Sequence, residues 1–348
     1  MRFLAAKRIL QGLAIVIFAI AMLFGSFHAM TSAHAATMAG TPGDPNIKYI
    51  GRWDTHSSTL ATSYWPGAYL KTQFTGRTVR IKLGTTASFF ASIDNKADTF
   101  YSNASGTVNL TPTPLAAGTH TLRVATYSEH DSLQFQGFLF DAGATTSMPT
   151  ISPKLIEFVG DSITAGATTT RHALSDYAWL VGEQLKVEHT QIAQGGICLS
   201  DSTACTSTGI GMNSQFFKMQ TIYFPNSPTW DFSRYQANVV VINLGTNDNG
   251  HHISDASFQT TYVAFIQKIR TKYPHAVILA LRPFKGAKAA ATLKTVQAVN
   301  AAGDRNVHYI DTTGWITSAD TNDGLHPSDA GHVKITAHLA PIVASYLG

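Results

Sequence analysis

Four groups of polar residues have the types that are needed to transfer an acyl group. They are Gly160-Asp161-Ser162, Gly195-Gly196, Gly245-Thr246-Asn247-Asp248 and Asp323-Gly324-Leu325-His326. Ser162 is a candidate nucleophile, and His326, with Asp323 three residues before it, is a candidate base. A glycine N–H and the Asn247 amide are candidate donors to an oxyanion. Acyl transfer requires these parts: a nucleophile, a base with a group that orients it, and hydrogen-bond donors for the tetrahedral oxyanion.

Strands and helices that alternate along residues 154–348 would bring the four groups together. The predicted strands are 155–159, 189–193, 239–244, 276–281 and 307–310. Helices are predicted at 177–187, at 287–302 and from Ser328 onward. A further helix is predicted where apolar residues recur with a period of 3.6, at Phe258, Tyr262, Phe265, Ile266 and Ile269. This alternation predicts a parallel sheet with helices on both faces. Functional sites in such sheets lie at the carboxyl ends of the strands, where the four groups occur.

Residues 47–141 have a different pattern, with short β-branched and aromatic runs between turns. The runs 68–74, 79–83, 89–93, 119–125 and 133–140 show no helical period and predict a small antiparallel sandwich. Segments 36–46 and 142–153 are predicted linkers. The expected organisation is a signal peptide (1–35), a linker (36–46), a β-sandwich (47–141), a linker (142–153) and an α/β domain (154–348).

The first 35 residues have the order of a secretory signal peptide. Three bases precede the apolar run 9–24, and Ala33-His34-Ala35 follows as a cleavage site. Cleavage predicts an extracellular protein with no stable membrane association, and an uncleaved membrane anchor is the alternative. Removing these three bases from the total of 25 leaves 22 against 21 acidic residues, so no basic surface favours nucleic acid.

The two cysteines of the chain, Cys198 and Cys205, are close in sequence. In an oxidising compartment such a pair predicts one local disulfide, with free thiols as the alternative. His251-His252 has no carboxylate at ligand spacing, and Gly209-Ile210-Gly211 lacks the third glycine and the preceding strand of a dinucleotide site. We therefore expect no metal and no organic cofactor.

The four groups resemble the sequence blocks of the SGNH (GDSL) hydrolases and occur in the same order. The resemblance covers about residues 154–348 and includes the longer run Phe158-Val159-Gly160-Asp161-Ser162-Ile163-Thr164. Upstream, Gly118-Thr119-His120-Thr121 and Phe135-Gln136-Gly137-Phe138 are similar to the N-terminal jelly roll of carbohydrate esterase family 2. The resemblance implies an α/β fold, with a flavodoxin-like α/β/α hydrolase domain preceded by a small all-β jelly-roll (sandwich) domain.

The resemblance also implies a role for each residue. Ser162 attacks the ester, His326 is the general base, and Asp323 accepts the Nδ1 proton of that histidine. The oxyanion hole consists of the N–H groups of Ser162 and Gly196 and the amide of Asn247, with Gly195 as the alternative glycine.

Several of these residues also have structural interpretations. Ser162 is a favoured helix N-cap, Asn247 is an ordinary turn amide, and Asp323 is a loop cap. In some family 2 esterases a backbone carbonyl orients the histidine instead. Asp161 and Asp248 are assigned to holding their loops.

The function implied is a secreted serine ester hydrolase that removes acetyl groups from polysaccharides such as xylan or glucomannan. A lipid esterase or thioesterase on the same fold and a noncatalytic glycan-binding protein are the alternatives. Trp65, Trp230 and Trp315 are candidate sugar platforms. The sequence leaves the polysaccharide, the acetylated position and the oligomeric state open.

Overall fold

The computed structural model describes residues 38–224 and 226–348. The predicted signal peptide and the first two residues of the predicted 36–46 linker lie outside the described residues. No helix within the two described ranges is long and apolar enough to cross a membrane.

The first part of the described chain is a sandwich of two antiparallel sheets, which confirms the predicted fold. Its strands are β1 (Lys48–Ile50), β2 (Trp53–Ser57), β3 (Leu60–Ser63), β4 (Tyr69–Gly76), β5 (Val79–Leu83), β6 (Ala87–Ile93), β7 (Thr99–Ala104), β8 (Thr107–Asn109), β9 (Gly118–Thr126), β10 (Gln134–Phe140) and β11 (Thr146–Ser147). One sheet has the order β1-β4-β9-β6-β7, with β11 also paired to β4, and the other has the order β2-β3-β10-β5-β8.

The alternation of side chains along β5 shows why these residues form a sandwich. Val79, Ile81 and Leu83 are buried, whereas Arg80 and Lys82 are exposed. Successive side chains of a strand point to opposite faces, so one face of the sheet is apolar and packs inward. The shared core takes residues from both sheets, including Phe74, Leu122, Val124, Phe135 and Phe138.

Both predicted linkers contact the sandwich where they are described. Residues 142–153 contribute β11, which pairs with β4. In the 36–46 segment, the Asp44 carboxylate accepts hydrogen bonds from the N–H groups of Gly40 and Asn46 and from the Thr146 hydroxyl. The buried Asp44 therefore fixes one predicted linker against the other.

The second part of the chain contains a parallel sheet, also as predicted. Its strands are β12 (Leu155–Gly160), β13 (Glu188–Ala193), β14 (Val239–Asn243), β15 (Val277–Leu281) and β16 (Val307–Ile310). They lie in the order β13-β12-β14-β15-β16, and each adjacent pair is parallel. This is the flavodoxin-like strand order, in which the chain reverses direction across the sheet beside its first strand.

Helices cover both faces of the parallel sheet. They are α1 (Tyr177–Leu185), α2 (Met212–Gln215), α3 (Thr246–Gly250), α4 (Asp255–Lys272), α5 (Ala289–Ala301) and α6 (Asp329–Leu347), with short 3₁₀ helices at His172–Leu174 and Ser318–Asp320. Helices α4 and α5 pack with Val240 and Ile242 of β14, whereas α1 and α6 pack with Val239 and Val241 of the same strand. Because successive residues of β14 point to opposite faces, a continuous apolar strand serves both helix layers.

Candidate active site

Three of the four polar groups follow neighbouring strands of the parallel sheet. Ser162 comes two residues after β12, Gly195 and Gly196 follow β13, and Asn247 follows β14. Because β12 lies between β13 and β14, the three loops meet at one edge of the sheet. His326 lies in the loop before α6, and a hydrogen bond brings it to Ser162.

Ser162, His326 and Asp323 form a continuous chain of side-chain contacts. Ser162 Oγ is 2.8 Å from His326 Nε2, and His326 Nδ1 is 2.7 Å from Asp323 Oδ2. No helix begins at Ser162, which lies in a series of turns, so the helix-cap interpretation of this residue is wrong. The arrangement has the geometry in which a histidine takes a proton from a serine while a carboxylate orients the ring.

Asp323 contacts both the His326 side chain and the backbone of its own loop. Its Oδ1 accepts the N–H groups of Leu325 at 3.0 Å and of His326 at 2.7 Å, while Oδ2 contacts the imidazole. The hydrogen bond from the His326 side chain is the largest effect that holds the pKa of Asp323 well below its usual range. One carboxylate therefore closes the loop and orients the base.

The two glycines after β13 differ in the use of their N–H groups. The Gly195 N–H donates to Glu129 Oε1 at 2.8 Å. In contrast, neither the Gly196 N–H nor the Ser162 N–H donates a hydrogen bond to any residue that the structure describes. Gly196 has a φ of 73°, which favours glycine, and a Cβ added there would meet nothing within 4 Å. Its N–H is therefore a free donor beside open space.

The Asn247 amide lies at the start of α3 and contacts the two other loops. Its Nδ2 donates to the Ile197 carbonyl at 3.0 Å and to Asp161 Oδ2 at 3.4 Å. The preceding Gly245 has a φ of 121°, and a Cβ there would lie 3.0 Å from the Phe258 ring. The tight turn at Gly245 thus starts the helix at the point where the Asn247 amide reaches the site.

Asp161 and Asp248 both hold backbone, as the sequence predicts. Asp161 Oδ1 accepts the Ile163 N–H, and burial, with a smaller contribution from the Asp248 carboxylate, raises the pKa of Asp161 to about 7. The buried Asp248 accepts the N–H groups of Leu199 and Ser200 at 2.8 and 3.0 Å. These two carboxylates tie the loops after β12, β13 and β14 to one another.

Cys198 and Cys205 form the predicted disulfide. Cys198 is fully buried and comes two residues after Gly196. Its carbonyl accepts the Met212 N–H at 2.8 Å. The disulfide therefore closes the loop that continues from the two glycines.

The sequence did not single out Glu129, a buried carboxylate beside the site. It lies in the loop between β9 and β10 of the sandwich and reaches Gly195 across the junction. Tyr223 is 51% exposed, and its ring centroid lies 5.3 Å from that of His130, the residue after Glu129, with the two rings tilted by 37°. No motif marks Glu129, because its place depends on how the sandwich packs against the parallel sheet.

The tryptophan prediction is wrong for Trp65 and Trp230. Both are buried, and Trp65 Nε1 donates to the Met219 carbonyl at 2.9 Å, so neither ring is accessible to a sugar. Trp315 is half-buried and stacks on His338. Among the residues described, no group of three or more His, Cys, Asp or Glu side chains has an arrangement that could hold a metal ion.

Comparison with family models identifies both parts of the chain. Residues 158–334, slightly more than half of the chain, match the GDSL-like Lipase/Acylhydrolase family. Residues 49–149 match the Carbohydrate esterase 2 N-terminal model. Both matches confirm the resemblance predicted from the sequence blocks.

Individual relatives and a solved structure are similar over most of this chain. The chain is 27% identical over 329 residues to the cellulase/esterase CelE of Acetivibrio thermocellus, and the match covers 88% of this chain but 40% of that protein. It is 23% identical over 353 residues to an acetylxylan esterase / glucomannan deacetylase of Cellvibrio japonicus, covering 94% and 97% of the two chains. A solved structure of a family two carbohydrate esterase from Clostridium thermocellum in complex with cellohexaose has a TM-score of 0.75 and 26% identity, covering 87% of this chain and 99% of that one.

Proposed function

The chain belongs to the GDSL-like lipase/acylhydrolase family of carboxylic ester hydrolases, and we propose that it is a secreted esterase that removes acetyl groups from a polysaccharide such as xylan or glucomannan. The observation that carries the proposal is the contact chain from Ser162 Oγ through His326 to Asp323, with distances of 2.8 and 2.7 Å. Secretion rests on the predicted signal peptide.

The proposed reaction has two steps that share one base. His326 Nε2 takes the Ser162 proton as Oγ attacks the ester carbonyl, and the protonated imidazole then gives that proton to the departing sugar oxygen. An acetyl-enzyme remains on Ser162. In the second step His326 takes a proton from water, the resulting hydroxide attacks the acetyl carbonyl, and Ser162 regains its proton as acetate leaves.

Two backbone N–H groups that donate no hydrogen bond within the described residues support the proposed oxyanion hole. The N–H groups of Ser162 and Gly196 are unused within the described part of the chain, whereas Glu129 already engages the Gly195 N–H. This difference favours Gly196 over Gly195 as the second donor. Asn247 would be the third, and its 3.4 Å contact with Asp161 is the weaker of its two hydrogen bonds and the easier to exchange for substrate.

The relatives and the rim of the site support an acetylated polysaccharide as substrate. One relative is named a cellulase/esterase and another an acetylxylan esterase / glucomannan deacetylase, and a similar structure holds cellohexaose. Tyr223 and His130 offer an exposed pair of rings beside Glu129. An aromatic ring of this kind has an apolar face and a polar edge, and it suits a partly hydrophobic sugar surface.

A panel of esters tests this proposal. Initial rates are measured on aryl acetate, butyrate and octanoate and, by acetate release, on acetylated xylan and glucomannan. We expect the acetate ester to be the fastest of the aryl series and both polysaccharides to release acetate. A preference for octanoate would indicate that the protein is a lipid esterase and not a deacetylase. Absence of turnover on every ester, together with retention on a glycan matrix, would indicate a noncatalytic binding protein.

A further inference from the structure

A carboxylate from the sandwich reaches the turn that carries the proposed oxyanion donor Gly196. Glu129 is 8% exposed, and its Oε1 accepts the Gly195 N–H at 2.8 Å. A Cβ built on Gly195 would lie 2.7 Å from this oxygen and 3.9 Å from Ser162 Cβ. The Glu129 carboxylate and Ser162 therefore both lie next to Gly195, and a side chain at this position would displace the Glu129 oxygen.

The loop that carries Glu129 is held at both ends. On one side, the Tyr127 carbonyl accepts the Ala173 N–H from the hydrolase part of the chain. On the other, Asp131 accepts the N–H of Ser88 in β6 at 2.7 Å and the Ser128 hydroxyl at 2.7 Å. Glu129 is therefore presented by a braced turn.

Glu129 acts on the neighbouring turn as a hydrogen-bond acceptor. Burial raises the pKa of this carboxyl, with opposing effects from the Gly195 N–H, His130 and His326. A protonated carboxyl still accepts an N–H through its carbonyl oxygen. A full negative charge so near Ser162 would oppose the oxyanion that forms there, so the useful feature is the acceptor and not the charge.

We propose that Glu129 is a positioning residue of the oxyanion hole. By accepting the Gly195 N–H, it holds the Gly195-Gly196 turn in the conformation in which the Gly196 N–H is available to the oxyanion. The sandwich thereby completes the active site of the hydrolase domain. This inference rests on the esterase function proposed above.

Two substitutions at Glu129 separate the acceptor from the charge. Glu129→Gln keeps a carbonyl oxygen at the same reach, whereas Glu129→Ala removes the acceptor. We expect Glu129→Ala to lower kcat on aryl acetate about 10- to 100-fold with KM changed less than about twofold, because the turn acts on charge that develops in the transition state. We expect Glu129→Gln to keep kcat within about threefold of wild type.

Glu183→Ala is the matched control, because it removes another carboxylate that crosses the same junction. Glu183 lies on the α1 helix, apart from the glycine turn, and it accepts a hydrogen bond from Arg123 Nη1 at 2.7 Å. Its loss should leave kcat close to wild type. Thermal unfolding of every variant checks the fold. If Glu129→Ala does not fold, Glu129→Asp, which withdraws the acceptor by one methylene, takes its place with the same expectation.

Three results would overturn the inference: an unchanged kcat in Glu129→Ala, a loss confined to KM, or equal losses in the alanine and glutamine variants. Wild-type and Ser162→Ala activities are measured alongside. If the wild type hydrolyses no ester, the proposed function fails. If the wild type is active, Ser162→Ala is dead and Glu129→Ala is normal, only the role of Glu129 fails.

Discussion

At the scale of single residues, Asp323 divides its two carboxylate oxygens between two tasks. One oxygen accepts two backbone N–H groups of its own loop, and the other contacts His326 Nδ1. The loop-cap and triad interpretations therefore both describe real contacts. Substitution of Asp323 measures how much its contact with His326 contributes to activity.

Asp323→Ala should lower kcat, but less than His326→Ala does, because the carboxylate orients the imidazole and does not itself take the serine proton. Steady-state kinetics on aryl acetate measure kcat and KM for both variants. Asp323→Asn keeps an oxygen for the backbone N–H groups and so controls for the loop. A kcat near that of the wild type in Asp323→Ala would leave Asp323 with its loop role alone.

Asn247→Ala tests the oxyanion hole by a different signature. A donor to charge that develops only in the transition state should affect turnover and leave apparent substrate affinity nearly unchanged. One such donor is worth roughly 2.7–4 kcal/mol, or about 100- to 1000-fold in kcat. Steady-state kinetics on aryl acetate provide both parameters. A variant that loses affinity while keeping kcat would show that Asn247 binds substrate in its ground state.

The sequence predicts residues of the site well where a strand end determines their place. Ser162, Gly196 and Asn247 follow three buried strands, and parallel strands end at one edge of a sheet. Glu129 could not be predicted in this way, because it comes from a loop of a different sheet. Trp65 was misjudged because residue type alone does not distinguish a buried ring from an exposed one.

At the scale of elements, the hydrophobic pattern predicts strands with a buried face and misses exposed ones. β5 alternates buried and exposed residues and has the predicted bounds. β7, at the edge of its sheet, has mostly exposed residues, and β11 has only two. Short edge strands depend on a partner strand for their hydrogen bonds and carry little signal of their own.

The disulfide loop should support activity more than it supports the global fold. Cys198 lies between Gly196 and the two N–H groups that Asp248 accepts, so the disulfide braces one end of the oxyanion turn. Mild reduction should therefore lower esterase activity under conditions where far-ultraviolet circular dichroism is unchanged. Cys198→Ser with Cys205→Ser should reproduce the effect without a reductant. Full activity in the double variant would contradict this role.

At the scale of the whole molecule, a buried ion pair joins the sandwich to the central sheet. Arg52 precedes β2, and its Nη2 lies 3.7 Å from Oε1 of Glu157 in β12, with both side chains fully buried. Arg52 also donates to the carbonyls of Phe216 and Lys218, while Glu157 accepts the hydroxyls of Tyr235 and Tyr273. The two parts of the chain therefore share a buried polar network.

Arg52→Met should destabilise the whole protein. Removal of one partner leaves the Glu157 carboxylate buried without its cation, which typically costs about 3–5 kcal/mol. Equilibrium denaturation measures the free energy of unfolding, and the wild type should unfold in one transition. Arg52→Met combined with Glu157→Gln should recover part of the loss, because no unpaired charge remains. A single variant as stable as the wild type would show that the network does not couple the two parts.

Ester hydrolysis through Ser162 can be tested by one comparison of two proteins. Initial rates on aryl acetate are measured for wild type and Ser162→Ala at equal concentration, with circular dichroism and thermal unfolding to confirm the fold. The Ser162 side chain is half-buried and its hydroxyl contacts His326, so removal of one oxygen changes the packing little and the variant should fold normally. We expect its rate to fall by at least about 1000-fold, as for removal of other serine nucleophiles. A folded Ser162→Ala protein with a rate near that of the wild type would show that Ser162 is not the nucleophile.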